Sequence, residues 1–167
     1  MPLSVATGNL SQYQPDAVPS AQGMSFGILV SEWNNEITFA LRDGAIQTLV
    51  KHGADADDIL VRYVPGSFEL SGGAQLMAKN AFVDAVICLG CVIQGETPHF
   101  DYICQGVAYG LTQVSIENSL PVVFGVLTTL NQEQALARSG GKLGNKGVEA
   151  AVTAIKMVAL KQDLEKF

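Results

Sequence analysis

The sequence predicts an α/β fold in three layers, a four-stranded parallel sheet flanked by helices. Two observations carry this prediction. Four short apolar runs lack the polar alternation of a half-exposed strand, so both faces of their sheet must be covered. Segments with helical spacing of apolar residues separate consecutive runs, the order that yields parallel strands joined by crossover helices. A length of 167 residues with 48% hydrophobic content fits a single such domain.

Taken in order, residues 1–23 are polar, carry Pro2, Pro15 and Pro19, and show no periodicity. They read as an extended arm able to pair as an edge strand with a neighbour, leaving 24–167 as the domain. Phe26-Gly27-Ile28-Leu29-Val30 is the first strand, followed by a helix with Ile37, Leu41, Ala45 and Leu49 on one face, closed by Gly53. Ile59 to Val64 leads through Pro65-Gly66 into a helix over about Phe68 to Lys79. Ala85 to Ile93 is the third strand, with a long loop and a helix from about Asp101 to Ser119 after it. Pro121 to Leu127 is the fourth, and a short helix begins near Asn131. The last helix, about Lys146 to Leu164, stripes Val148, Ala151, Val152, Ile155 and Ala159, widened by Ala150, Ala154 and Met157. An apolar face this broad is usually covered from more than one side, which favours an oligomer. The architecture is flavodoxin-like.

Composition narrows the function. A net charge of −6 argues against a nucleic-acid partner, because phosphate-backbone binders gather Lys and Arg into a footprint. Only 16% of residues are charged and the mean hydropathy is slightly positive, again pointing to surface buried between subunits. Cys88, Cys91 and Cys104 read as reduced core thiols. Cys88 and Cys91 have Cys-x-x-Cys spacing, but no second pair or His cluster completes a metal set, so no metal is expected. No basic start precedes an apolar stretch and no run is long enough to span a bilayer, so a cytoplasmic protein without a membrane partner is expected.

Open parallel sheets bind ligands beyond the carboxyl ends of their strands, which selects four places. Trp33, the only tryptophan, follows the first strand beside Asn34; it can stack on a flat heterocycle or pack a seam, and Asn34 can be a helix N-cap. Pro65-Gly66-Ser67-Phe68-Glu69 offers backbone N–H groups, a hydroxyl and a carboxylate suited to a polyhydroxylated chain, or simply a capped helix start. In Gly95-Glu96-Thr97-Pro98-His99-Phe100-Asp101, Thr97 and free amides can grip an anion and His99 can move protons, although a lone loop histidine is more often surface. His52, at a helix end before Gly53, is accounted for by that position. Arg138 and Lys142, with Lys146 beyond, form a basic cluster that suits a phosphate or is merely solvated. No Walker or complete dinucleotide pattern is present.

Read in order, these pieces resemble the lumazine synthase family. The matching segments are Trp33-Asn34, Val64 to Glu69, Leu89 to Tyr102, Pro121 to Thr128, and Gly144-Asn145-Lys146-Gly147; five in family order are specific, and the similarity covers about Met24 to Leu160. The resemblance implies condensation of 5-amino-6-(D-ribitylamino)uracil with 3,4-dihydroxy-2-butanone 4-phosphate to 6,7-dimethyl-8-ribityllumazine, a riboflavin-biosynthetic transferase reaction without a cofactor. It implies that Trp33 stacks on the pyrimidine, that Phe124 of an adjacent subunit closes the pocket, and that Ser67 and Glu69 hold the ribityl chain. Glu96, Thr97, Arg138 and Lys142 would surround the phosphate, with His99 shuttling protons; Asn34, Phe68, Val92 and Ile93 complete the pocket. It further implies a homopentamer and riboflavin synthase as a partner; the short Gly140 to Asn145 link suits further assembly into sixty-subunit capsids, whereas the prolines of the N-terminal arm oppose it and leave the pentamer as the alternative. Trp33 stands where Phe is common, Pro98 where a hydroxyl residue or Ala is common, and Ser71 where Pro is frequent. A cage-forming shell subunit with weak catalysis, or a flavin or lumazine carrier, is the alternative.

Overall fold

The computed structural model describes residues 8–167, and the beginning of the arm, residues 1–7, lies outside them. Four parallel strands form the main sheet: β1 (Phe26–Ser31), β2 (Ile59–Val64), β3 (Ala85–Ile93) and β4 (Val122–Thr129), in the order β2-β1-β3-β4. β1 is buried along its whole length and β3 along all but its last two residues. Covered on both faces, neither can show the alternation of a half-exposed strand.

Five α-helices complete the layers: α1 (Asn35–Lys51), α2 (Leu70–Asn80), α3 (His99–Asn118), the short α4 (Gln132–Ala137) and α5 (Lys146–Leu164). On one face, Ile37, Leu41, Ala45 and Leu49 of α1 and Ala151, Ala154, Ile155 and Val158 of α5 pack against Phe26, Ile28, Val30, Ile87 and Leu89. On the other, Leu70, Ala74 and Met77 of α2 and Val107, Leu111 and Val114 of α3 cover Leu29, Val86, Cys88 and Val126. Period-2 geometry divides the cysteine pair: Cys88 enters one core and Cys91 the other, so the two thiols cannot share a metal. Burial raises both, Cys91 to about 11, which keeps them protonated and inert.

The departures from expectation are local. The second helix opens with a single 3-10 turn, Ser67–Glu69, before α2 begins. α3 begins two residues earlier than its periodicity shows, with Pro98 before it at φ −68°, the value the proline ring imposes. β4 runs to Thr129 because Thr128 and Thr129 continue to pair with Val92 and Ile93. The Gly140-Gly141 break is part of a small antiparallel hairpin, β5 (Ser139–Gly141) with β6 (Gly144–Asn145), whose Gly140 and Gly144 have φ of +110° and +92°. Met157 of α5 lies 42% exposed, outside the packed stripe.

The described part of the arm lies along the body of its own chain. Leu10 N–H donates to Leu143 O at 3.0 Å, and Ala21 N–H to His52 O at 2.8 Å. The Tyr13 hydroxyl and His52 Nε2 are 3.0 Å apart. Burial, and secondarily Lys51, lower the His52 pKa, which favours the neutral ring at the end of α1, beside Tyr13. Among the described residues no helix is long and apolar enough to cross a membrane.

Helices α1 and α5 touch through backbone at Gly147, where a Cβ would collide with the Leu41 carbonyl oxygen. We therefore expect Gly147→Ala to lower stability by about 1–3 kcal/mol through overpacking, measured as an earlier thermal or denaturant midpoint. An unchanged midpoint would show that the two helices can separate freely.

Candidate active site

Strand β1 lies between β2 and β3, so the loops leaving these three strands share one edge of the sheet. The first is the tight β1–α1 turn. Asn34 adopts left-handed backbone (φ 59°, ψ 44°) at the start of α1 and makes no side-chain cap. Its Nδ2 instead donates to Cys91 O at 3.1 Å, tying the turn to β3. Asn tolerates this conformation better than most residues. Trp33 N–H donates to Pro65 O at 3.0 Å, and the ring stands 72% exposed. A Cβ on Gly66 would come within 3.1 Å of both the Trp33 ring and Glu69 Oε2, so glycine allows the indole to lie close to the second loop.

In that loop Gly66 N–H donates to Glu69 Oε2 at 3.0 Å and Glu69 N–H to Gly66 O at 3.2 Å. The reciprocal pair fixes one carboxylate oxygen of Glu69 at the 3-10 turn. Ser67 is buried, while Phe68 is 58% exposed. The Ser67 hydroxyl has no hydrogen-bond partner among the described residues, and a buried hydroxyl of this kind gains from a ligand that supplies one.

Trp33, Gly66, Ser67, Phe68, Glu69, Cys91, Val92, His99 and Ile103 line one cleft of about 530 Å³. His99 is exposed as the first residue of α3. Glu96 and Thr97 are exposed on the preceding loop, and Ile93 is half-buried at the end of β3. Thus Trp33, Ser67, Phe68, Glu69, Val92 and His99 are brought together, with Asn34 bracing the turn behind them. Cys91 and Ile103 also line the cleft and escaped the sequence reading because their apolar neighbours mark them as core.

The remaining candidates lie elsewhere on the chain. Phe124 faces outward from β4 and lines a second cleft with Lys146, Glu149, Ala150, Thr153 and Met157. Arg138 caps the end of α4, where its guanidinium donates to Glu149 Oε1 at 2.5 Å and to Leu143 O at 2.7 Å. Lys146 Nζ lies 2.9 Å from Glu149 Oε2. Lys142 is exposed at the turn of the β5–β6 hairpin. Sequence reading missed Glu149; its position three residues after Lys146 on a helix was the available signal.

A family model described as 6,7-dimethyl-8-ribityllumazine synthase matches residues 23–162. The chain belongs to the 6,7-dimethyl-8-ribityllumazine synthase family. Membership makes it a lumazine synthase, a transferase of riboflavin biosynthesis. Similar proteins carrying that description include one from Phocaeicola vulgatus, 54% identical over 164 residues and 98% of each chain. One from Cytophaga hutchinsonii is 56% identical over 157 residues, covering 94% of this chain and 98% of its own. Pro98 suits its place before α3, whereas Ser71 leaves a buried hydroxyl without a hydrogen-bond partner among the described residues. The Pro98 carbonyl accepts from Asp101 N–H at 3.0 Å, and Ser71 packs where Gly110 of α3 leaves space for it.

Burial alone would push the Glu149 carboxyl up, but donors from Arg138, Lys146 and Ser11 outweigh it and hold the group below the ordinary carboxylate range. A depressed folded pKa adds stability that is complete above the pH where an unfolded glutamate ionises. That stability disappears as pH falls through the folded value. Wild type should therefore exceed Glu149→Gln in unfolding midpoint at about pH 7, and the gap should narrow toward about pH 3. A gap that widens on acidification would contradict the assigned ionised role.

Proposed function

We propose that the chain condenses 5-amino-6-(D-ribitylamino)uracil with 3,4-dihydroxy-2-butanone 4-phosphate at a site shared by neighbouring copies. The observation that carries this reading is the division of the chemistry between two clefts. One holds the aromatic ring, hydroxyl, carboxylate and imidazole but no Lys or Arg; the other holds Phe124 with Lys146 and with Glu149, the carboxylate to which Arg138 donates. A reaction that joins a flat polyol-bearing substrate to a phosphorylated one needs both inventories within one cavity.

In this reading Trp33 stacks on the pyrimidine, with Phe124 of the adjacent copy on its other side. Ser67 and Glu69 bond the ribityl hydroxyls, and Asn34, Phe68, Val92 and Ile93 form the walls. Thr97, Glu96 and the free N–H groups at the start of α3 meet the phosphate from one side. Arg138 and Lys142 of the neighbour meet it from the other. The 5-amino group attacks the ketone carbonyl carbon and water leaves, giving an imine. Loss of a proton and of inorganic phosphate generates an enol that tautomerises to a ketone. The ribitylamino nitrogen then adds to this carbonyl and a second water leaves, closing the ring. His99 carries protons for these steps. The chain's own contributions are orientation and proton transfer, because phosphate is already a good leaving group.

This reading requires an oligomer, which we take to be a pentameric ring, with the sixty-subunit shell as a further level and riboflavin synthase as a partner. Support comes from α3, where Tyr102, Tyr109 and Ile116 recur every seven residues and are each about 70% exposed in the single chain. A heptad stripe of large apolar residues suits packing against the same helix of another copy.

The test is steady-state assay of lumazine formation from the two purified substrates. His99→Ala should slow turnover by about 10²-fold, the lower end for general acid–base catalysis, leaving KM nearly unchanged. Arg138→Ala should raise KM for the phosphorylated ketone more than it changes KM for the pyrimidine. Wild-type kinetics in both variants would remove the site assignment.

A further inference from the structure

We propose that Ser11, delivered by the N-terminal arm, is a positioning residue for the anion-binding arginine: its hydroxyl fixes the Glu149 carboxylate, which in turn orients the Arg138 guanidinium. The inference rests on the reading of Arg138 as the phosphate ligand.

The arm reaches the hairpin through close backbone contact. Leu10 N–H donates to Leu143 O, Ser11 N–H donates to Asn9 Oδ1 at 2.8 Å, and Asn145 N–H donates to Ser11 Oγ at 2.8 Å. Gly144, with φ of +92°, permits this approach, since a Cβ there would strike both Asn9 and Ser11. Ser11 is 8% exposed, so its hydroxyl must be satisfied by the protein around it.

A serine hydroxyl has one proton to donate. Two acceptors lie within reach, Glu149 Oε1 at 2.8 Å and Asn145 O at 3.0 Å. The ionised carboxylate is the stronger acceptor and the nearer one, so the proton goes to Glu149. The oxygen meanwhile accepts from Asn145 N–H and, more weakly at 3.4 Å, from Arg138 Nη1. Glu149 is then held at both oxygens, Oε1 by Ser11 and Arg138, and Oε2 by Lys146.

The arginine is held in turn. Nη1 is taken by Leu143 O and Nη2 by Glu149, while among the described residues no group accepts from Nε. These two anchors, with the weaker contact to Ser11, set the plane of the guanidinium and leave Nε–H unengaged for an incoming anion. Arg138 and Lys146 against Glu149 leave the group net positive, so the carboxylate can orient Arg138 without cancelling the local charge. Without the Ser11 hydroxyl, Glu149 Oε1 loses a donor and Asn145 N–H an acceptor. The carboxylate and the arginine can then settle in more than one arrangement, and fewer of these present the free N–H correctly.

The experiment compares Ser11→Ala, Ser11→Thr, Arg138→Ala and the Ser11→Ala/Arg138→Ala double variant, measuring kcat and KM for each substrate separately. Ser11→Ala should raise KM for the phosphorylated ketone by about tenfold, the scale of a charge-assisted hydrogen bond, with kcat and KM for the pyrimidine within about twofold. Ser11→Thr, which keeps the hydroxyl, should restore most of the loss. In the double variant, Ser11→Ala should add nothing to the effect of Arg138→Ala. If Arg138→Ala raises KM for the ketone and Ser11→Ala does not, or raises both KM values alike, the positioning role is overturned while the phosphate assignment stands. If Arg138→Ala leaves that KM unchanged, the phosphate assignment itself fails. A shift in thermal midpoint without the KM split would mark Ser11 as an arm anchor only and overturn the proposal.

Discussion

A parallel sheet covered on both faces delivers the end of every strand, with the loop that follows, to the same edge. That constraint governs where chemistry can occur in this chain. It places the turns after β1, β2 and β3 side by side, and the Asn34–Cys91 bond joins the first to the third across the central pair of strands. Trp33, Glu69 and His99 belong to three separate stretches of sequence and line one cleft for this reason. The same constraint keeps Phe124 away from them. It lies within edge strand β4 and faces outward, beside α5 rather than above the sheet.

Electrostatics adds a second division. With 10 Lys and Arg against 16 Asp and Glu, the chain has no general attraction for anions and must concentrate cations where one is bound. Arg138 at the end of α4 and Lys146 at the start of α5 meet at Glu149, which pairs with both. An ion pair held by several hydrogen bonds in a half-buried position is screened less than a surface pair. Its effect here is geometric: it holds the guanidinium in one orientation.

Much of the fold was legible because it follows from local periodicity. β2 and β3 begin and end where their apolar runs do, and Ala150, Ala151, Ala154 and Ile155 of the predicted α5 stripe enter the core. The exposed Trp33 turn and the Gly66–Glu69 cap were legible as residue types at the ends of strands. What remained hidden depends on contacts distant in sequence. Ser11 and Glu149 are 138 positions apart, and nothing in a polar, proline-containing arm indicates that one hydroxyl will reach an arginine. The hairpin after α4 was obscured by Gly140 and Gly141, which read as a break although Gly140 supplies the positive φ at the irregularity between Ser139 and Gly141. Asn34 looked like a helix cap because residue type does not reveal a left-handed backbone, which turns its amide toward β3 instead.

The division of the site between copies is tested most directly by complementation. His99→Ala and Arg138→Ala proteins would be dissociated, mixed in equal amounts and allowed to reassemble, and lumazine formation measured. If adjacent copies build each site, roughly a quarter of the seams in randomly mixed rings pair an intact imidazole with an intact arginine, and the mixture regains activity well above either parent. A rate no greater than the average of the two parents, from rings shown to be mixed, would contradict a shared site.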